Sequence, residues 1–181
     1  MIKNILKHIQ LVLKHKWYVF IYCTKLGMPI RGLRHDLSKF SWTEFGESIK
    51  YYNGKKSPIV ICRQEKGYAK SWLHHKGRNK HHPEYWVDIN APEKTPIIPY
   101  KYVAEMICDK LSANKVYNGK EWTNSSELEY WSKEKLRIEI NKNVEEMLTE
   151  VFEQVAEKGI DAVLTKENIQ TLYKKHCGDI K

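Results

Sequence analysis

Apolar side chains in this chain recur three and four residues apart and almost never alternate, a period that selects helices over strands. Between residues 3 and 26 they fall at Ile5, Ile9, Val12, Leu13, Val19, Phe20 and Cys23, close to the stripe of one helix face. Gly27 and Pro29 then follow in the order that ends a helix. Ser41-Trp42-Thr43-Glu44 has the form of a capping box, a serine N-cap with a glutamate three residues on. It predicts a helix through Phe45, Ile49 and Tyr52 that stops at Asn53-Gly54. Residues 66–77 read as a short helix with Trp72 and Leu73 as core positions. Pro92, Pro96 and Pro99 make the segment 90–99 irregular. A helix over about 100–117 carries Val103, Met106, Ile107 and Leu111 on one face. Helices at about 125–137, at 142–158 with Gly159 as its stop, and at 166–176 behind Thr165 follow. The longest β-like alternation is the few residues at 59–61. The expectation is an all-α fold, a compact single-domain helical bundle over residues 1–181. Its C-terminal helices, about 125–176, complete the core through Leu128, Leu136, Val144, Met147, Leu148, Val151, Phe152 and Val155.

A chain of 181 residues can bury a core of its own. No apolar stretch approaches the roughly 20 residues of a membrane span. The apolar run at 9–13 is broken by Lys14, His15 and Lys16, with no small-residue cleavage site after it. These features predict a cytoplasmic protein with no membrane partner. Cys23, Cys62, Cys108 and Cys177 lie far apart and form no C-x-x-C pair. They read as small buried residues or reduced thiols, not as a zinc finger or a disulfide framework. Phosphate loops of the GxxxxGK(S/T) and GxGxxG kinds are absent, as are HExxH and GxSxG. The net charge of +9 is uneven. Residues 1–82 hold 17 Lys/Arg against 4 Asp/Glu, and residues 83–181 hold 14 against 18. A basic half attracts phosphates, whether on a nucleotide or a nucleic acid, although solvated lysines give the same count.

Histidines and carboxylates carry the chemistry. His15 lies within the first helix; His35-Asp36-Leu37-Ser38-Lys39, Trp72-Leu73-His74-His75, Asn79-Lys80-His81-His82-Pro83-Glu84 and Glu105-Met106-Ile107-Cys108-Asp109 follow. Six of the eight histidines fall in this set, four of them within nine residues. Imidazole and carboxylate are the usual protein ligands of Mn, Fe, Co, Ni and Zn. His74 and His81 are seven apart, as are His75 and His82. On one continuous helix each pair would sit about 10 Å apart, too far for one ion. Either the chain bends near Gly77 or the pairs serve different ends. The expected ligands of one or two divalent ions (Mn, Fe, Co, Ni, Zn or Mg) are His15, His35, Asp36, His74, His75, His81, His82 and Asp109.

The order His, His-Asp, His, Asp on successive helices resembles the HD superfamily of metal-dependent phosphohydrolases. His35-Asp36-Leu37-Ser38-Lys39 is similar to its His-Asp-x-x-Lys signature, His15 to its first histidine, and Asp109 to its late aspartate. His8, seven residues before His15, is the alternative first ligand. The motifs HDLSKF, WLHHKGRNKHHPEYW and EMICDK also resemble an uncharacterised bacterial and bacteriophage family, over roughly residues 12–112. The superfamily resemblance implies an HD-domain-like bundle. In it His15, His35, Asp36 and Asp109 hold one ion, and Asp36 bridges to a second held by histidines of the cluster. It implies hydrolysis of a small nucleotide or related phosphate ester by metal-activated water. Asp36, Lys39 and Arg78 then carry catalysis, the two cations by holding the phosphoryl group, with Asn79 and Glu84 orienting imidazoles. A di-iron centre that activates oxygen is the alternative on the same scaffold. A further alternative without catalysis is nucleic-acid binding, with Trp17, Tyr18, Trp42, Tyr51, Tyr52, Trp72, Tyr85 and Trp86 interleaved in the basic half.

Overall fold

The computed structural model describes residues 2–54 and 56–180. The fold is all-α, and no strand occurs among the described residues. α1 (Ile2–Lys25) is followed directly by α2 (Pro29–Arg34), because Pro29 both stops the first helix and starts the second at its first-turn position. A 3₁₀ turn, Leu37–Phe40, leads into α3 (Trp42–Tyr51). α4 (Pro58–Lys66) follows without having been expected, and α5 (Lys70–Lys76) lies within the helix expected over 66–77. Gly67 separates them at φ +80°, a left-handed helix end that glycine adopts without a steric penalty. Residues 59–61 are therefore helical.

The proline segment is irregular as expected, and Pro99 opens α6 (Tyr100–Asn118). α7 (Ser126–Glu134), α8 (Lys142–Lys158), α9 (Ile160–Val163) and α10 (Lys166–Cys177) close the chain. α7 ends three residues earlier than its pattern suggests, and Leu136 beyond it is exposed.

α6 is buried around most of its circumference, which marks it as the central helix. Its apolar side chains Val103, Met106, Ile107 and Leu111 join Val19, Cys23 and Leu26 of α1, Trp131 of α7 and six fully buried residues of α8. A second, smaller apolar cluster forms from Tyr51, Cys62 and Ala69, with Trp72 packed on it. It lies under α3, α4 and α5, with α3 packed against the other two. Leu13 and Leu73, expected inside, are about half exposed because the apolar stripe on each helix is wider than the face it buries. Trp17 and Trp42 also stand out on the surface, at 60% and 87% exposure. Cys23, Cys62 and Cys108 are buried, and all four cysteines are free.

Candidate metal centre

Asp36 is the one residue other than glycine with positive φ among those described, at +54°. His35 before it is extended, and the 3₁₀ turn begins directly after. Aspartate tolerates this left-handed backbone better than most residues. The bend lets consecutive side chains, His35 and Asp36, reach one point, where a regular helix would splay them apart. Both are buried at 1% exposure. Lys16 Nζ holds the carbonyl of His35 from α1.

Four side chains from α1, the α2 turn and α6 meet there. His15 Nε2 is 3.3 Å from His35 Nε2 and 3.0 Å from Asp109 Oδ1. His35 Nε2 is 3.2 Å from Asp36 Oδ2 and 3.3 Å from Asp109 Oδ1. A second set lies on the other oxygen of Asp36. His75 Nε2 is 3.4 Å and His81 Nε2 3.5 Å from Asp36 Oδ1, and His82 completes the set. Within each set of four, one ligand atom per residue lies within 4.8 Å of the others. The chain does bend at Gly77, where α5 ends, and folds residues 81 and 82 back onto His75.

Outer carboxylates fix which imidazole nitrogen faces the centre. Glu105 Oε1 accepts from His35 Nδ1 at 3.0 Å and lies 3.3 Å from His81 Nδ1, while its Oε2 accepts from Arg31 at 2.7 Å. Glu44 Oε2 accepts from His75 Nδ1 at 2.8 Å. With Nδ1–H committed to a carboxylate, Nε2 keeps its lone pair and points inward. His35, His81 and Glu105 could also form a ligand set by distance, but its shared contacts are these outward Nδ1 atoms. We read it as the support of the inner sets.

Several inner atoms lack a partner that would explain their burial. Asp36 Oδ1 and the Nε2 atoms of His81 and His82 are buried without a hydrogen bond. Asp36 Oδ2 faces Lys39 Nζ at 2.7 Å in an ion pair without hydrogen-bond geometry. Unsatisfied buried polar atoms cost about 1–3 kcal/mol each. Inward lone pairs and carboxylate oxygens fit divalent cations, which would satisfy them together. Burial opposes ionisation of Asp36, but His35, Lys39 and His75 outweigh it and hold the carboxyl well below the usual carboxylate range. Asp109 is also held low against burial, by the neighbouring imidazoles of His15, His35 and His81. Burial, then the neighbouring His81 and His75, holds His82 well below the ordinary imidazole value, so it presents a neutral lone pair.

Residues 4–157 match the family of unknown function DUF5662. The chain belongs to that family. No curated protein and no solved structure matches it.

Some residues of this DUF5662 chain fall outside the two sets. His74 hydrogen-bonds Glu44 Oε1 at 2.7 Å and belongs to neither, because it leaves α5 on a different face from His75. His8 packs against the rings of Phe45 and Tyr52, two turns of α1 before His15. Arg78 is exposed, and no side-chain contact joins it to the centre among the described residues. Asn79 lies against His75: its amide donates to Ser38 Oγ and the His75 carbonyl, with its nitrogen 3.1 Å from His75 Nδ1. Glu84 makes no hydrogen bond to an imidazole, and its Oε2 is buried without a partner.

Sequence reasoning gave no role to Glu44, Glu105 or Arg63. Glu44 passed for the second half of a capping box. Ser41 does accept from the Glu44 amide, but the Ser41 amide donates to Ser38, leaving the Glu44 side chain for the histidines. Glu105 had a readable signal, since it lies four residues before Asp109 on the same face of α6. A cavity of about 790 Å³ opens beside His81, His82 and Asp109. Arg63 lines it, its guanidinium 5.3 Å above the Trp72 ring.

Proposed function

We propose that this protein is a metal-dependent phosphohydrolase with an HD-type centre, acting on a small nucleotide or related phosphate ester. The observation that carries the reading is the division of Asp36 between two four-residue ligand sets, one on each carboxylate oxygen. His15, His35, Asp36 and Asp109 would hold one divalent ion, and Asp36, His75, His81 and His82 the other. Such ions lower the pKa of water towards neutrality and draw charge from phosphoryl oxygens.

The chain's own part is positional. Glu105 and Glu44 fix the imidazoles so that the ligand sphere needs little rearrangement. Lys39 keeps a cation beside Asp36 and can offset charge on a transferring phosphoryl group. Arg63 lines the cavity and takes the phosphate-binding place considered for Arg78. The reaction adds hydroxide to phosphorus in line with the leaving oxygen. The P–O ester bond breaks, and the departing alkoxide takes a proton to become an alcohol.

The test is phosphate release from nucleoside mono- and triphosphates and cyclic nucleotides with Mn, Co, Ni or Mg. Turnover by the wild type and a loss of at least about 100-fold in Asp36→Ala are expected, the weight of removing a bridging ligand. Equal turnover by the two proteins overturns the reading. Five inward imidazoles also favour a di-iron centre that activates oxygen. That alternative predicts copurifying iron with an optical or paramagnetic signal and no phosphate release.

A further inference from the structure

Residues 1–35 hold seven Lys/Arg and no Asp/Glu, and α1 and α2 leave an apolar face uncovered. On α1, Leu6, Leu13, Trp17 and Phe20 recur at helical spacing on one side. Leu6, Leu13 and Trp17 are at least half exposed, and the Trp17 ring lies against that of Phe20, 5.9 Å between centroids. α2 runs back along this side: Gly32 sits against Phe20, and Lys16 donates to the carbonyls of Leu33 and His35. Arg31 leaves α2 towards Glu105 of α6. Leu33, two positions later, therefore leaves on the opposite flank, where Trp17 and Leu13 stand. Ile30 and Leu33 are 71% and 65% exposed. The two helices thus share one open apolar face, not the scattered single residues of an ordinary surface. Cations rim it. Lys7 and Lys14 each follow an exposed leucine and lie two turns apart on one line of α1, and Arg34 follows Leu33. All three are exposed, and none forms an ion pair among the described residues.

We propose that this face docks on an anionic phospholipid surface, with α1 and α2 lying in its plane. No helix among the described residues is long and apolar enough to cross a membrane. The contact is a face laid on the surface, and it replaces the expectation of no membrane partner. A lipid surface matches both halves of the pattern. Trp, Leu and Ile side chains enter the boundary between headgroups and acyl chains, and lysine and arginine meet the anionic headgroups. A second copy of the chain would set like charge against like. A nucleic acid would meet the cations but offers Leu13, Ile30 and Leu33 no apolar layer to enter. None of the six apolar side chains lines the cavity beside His81 and His82, so docking leaves that cavity open and is independent of the hydrolase reading.

The test is co-sedimentation of the full chain with vesicles of phosphatidylcholine alone and of equal parts phosphatidylcholine and phosphatidylglycerol. Binding to the anionic vesicles should exceed binding to the neutral ones at least about 10-fold and weaken as salt is raised. Lys7→Gln combined with Lys14→Gln should weaken it about 25-fold, or roughly 5-fold for each cation removed. Trp17→Ala should weaken it about 10- to 100-fold, the weight of a large apolar side chain left in water. All three positions are exposed in the folded chain. The unfolding transition of each variant should therefore stay within about 2 °C of the wild type, which separates a lost contact from a lost fold. Equal binding to both kinds of vesicle, binding to neither, or anionic binding that either set of changes leaves unweakened overturns the proposal. Vesicles left unbound while a single-stranded oligonucleotide is shifted would give the face to nucleic acid instead. Vesicles left unbound while the chain sediments as a dimer that Trp17→Ala dissociates would give it to a second copy.

Discussion

Two adjacent histidines in this chain have different positions in the centre. His75 turns Nε2 towards Asp36 and gives Nδ1–H to Glu44, whereas His74 spends its Nδ1–H on the other oxygen of the same glutamate. Removing His75 takes a ligand from the second set. Removing His74 takes only a partner of Glu44, which keeps its bond to His75. Elemental analysis of purified variants should therefore separate them. His75→Ala should lose one of two bound ions, and His74→Ala should retain both, with stability lowered by about 1 kcal/mol for the lost hydrogen bond. Equal metal loss in the two variants would contradict the assignment of His75 over His74. Nothing in the dipeptide distinguishes the two imidazoles. The direction of α5 relative to α3 and Asp36 does.

At the scale of elements, the site depends on how closely α2 crosses α1. Gly32 makes this crossing possible: a Cβ there would lie 2.8 Å from Cys23 Cβ and 2.9 Å from Phe20 Cα, the second a backbone atom that cannot swing aside. α2 must stay pressed on α1 for His35 to meet His15. Gly32→Ala should lower unfolding free energy by about 1–3 kcal/mol, the range for overpacking, and reduce metal content. Gly46→Ala is the control, since a Cβ there meets only the Trp42 ring at 3.7 Å. Within α3 it should gain about 0.5–1 kcal/mol from reduced backbone freedom in the unfolded chain. Urea titrations with metal analysis check both. An unperturbed Gly32→Ala protein would mean that the contact between α1 and α2 is not what sets the distance between His15 and His35.

For the whole molecule, the centre joins parts that are otherwise weakly coupled. The main core runs through α1, α6 and α8, while α3, α4 and α5 rest on a small cluster of their own. The ligand sets draw on both: His15 and Asp109 from the first, His75 from the second. A cation bound to the folded protein alone adds stability by mass action, about 2.7 kcal/mol at 100 times its dissociation constant. For a chain of this size that is a rise in Tm of roughly 5–10 °C, to be removed by a chelator. Differential scanning calorimetry with Mn and with EDTA measures it, and identical transitions would remove the cation from the account of the fold.

Helix periodicity is a local property, so the sequence alone determined the helical class, the bounds of the helix at 142–158 and the caps at Ser41 and Thr165. It also brought His35-Asp36 forward, because a histidine beside an aspartate is chemistry that can be read from two letters. Tertiary structure decided that His15 and not His8 meets His35, that His75 and not His74 turns inward, and that Glu44 holds imidazoles besides starting a helix. Each of these depends on where distant helices cross and where the chain bends at Gly67 and Gly77. Convergence of side chains far apart in sequence follows from packing, which no local spacing encodes.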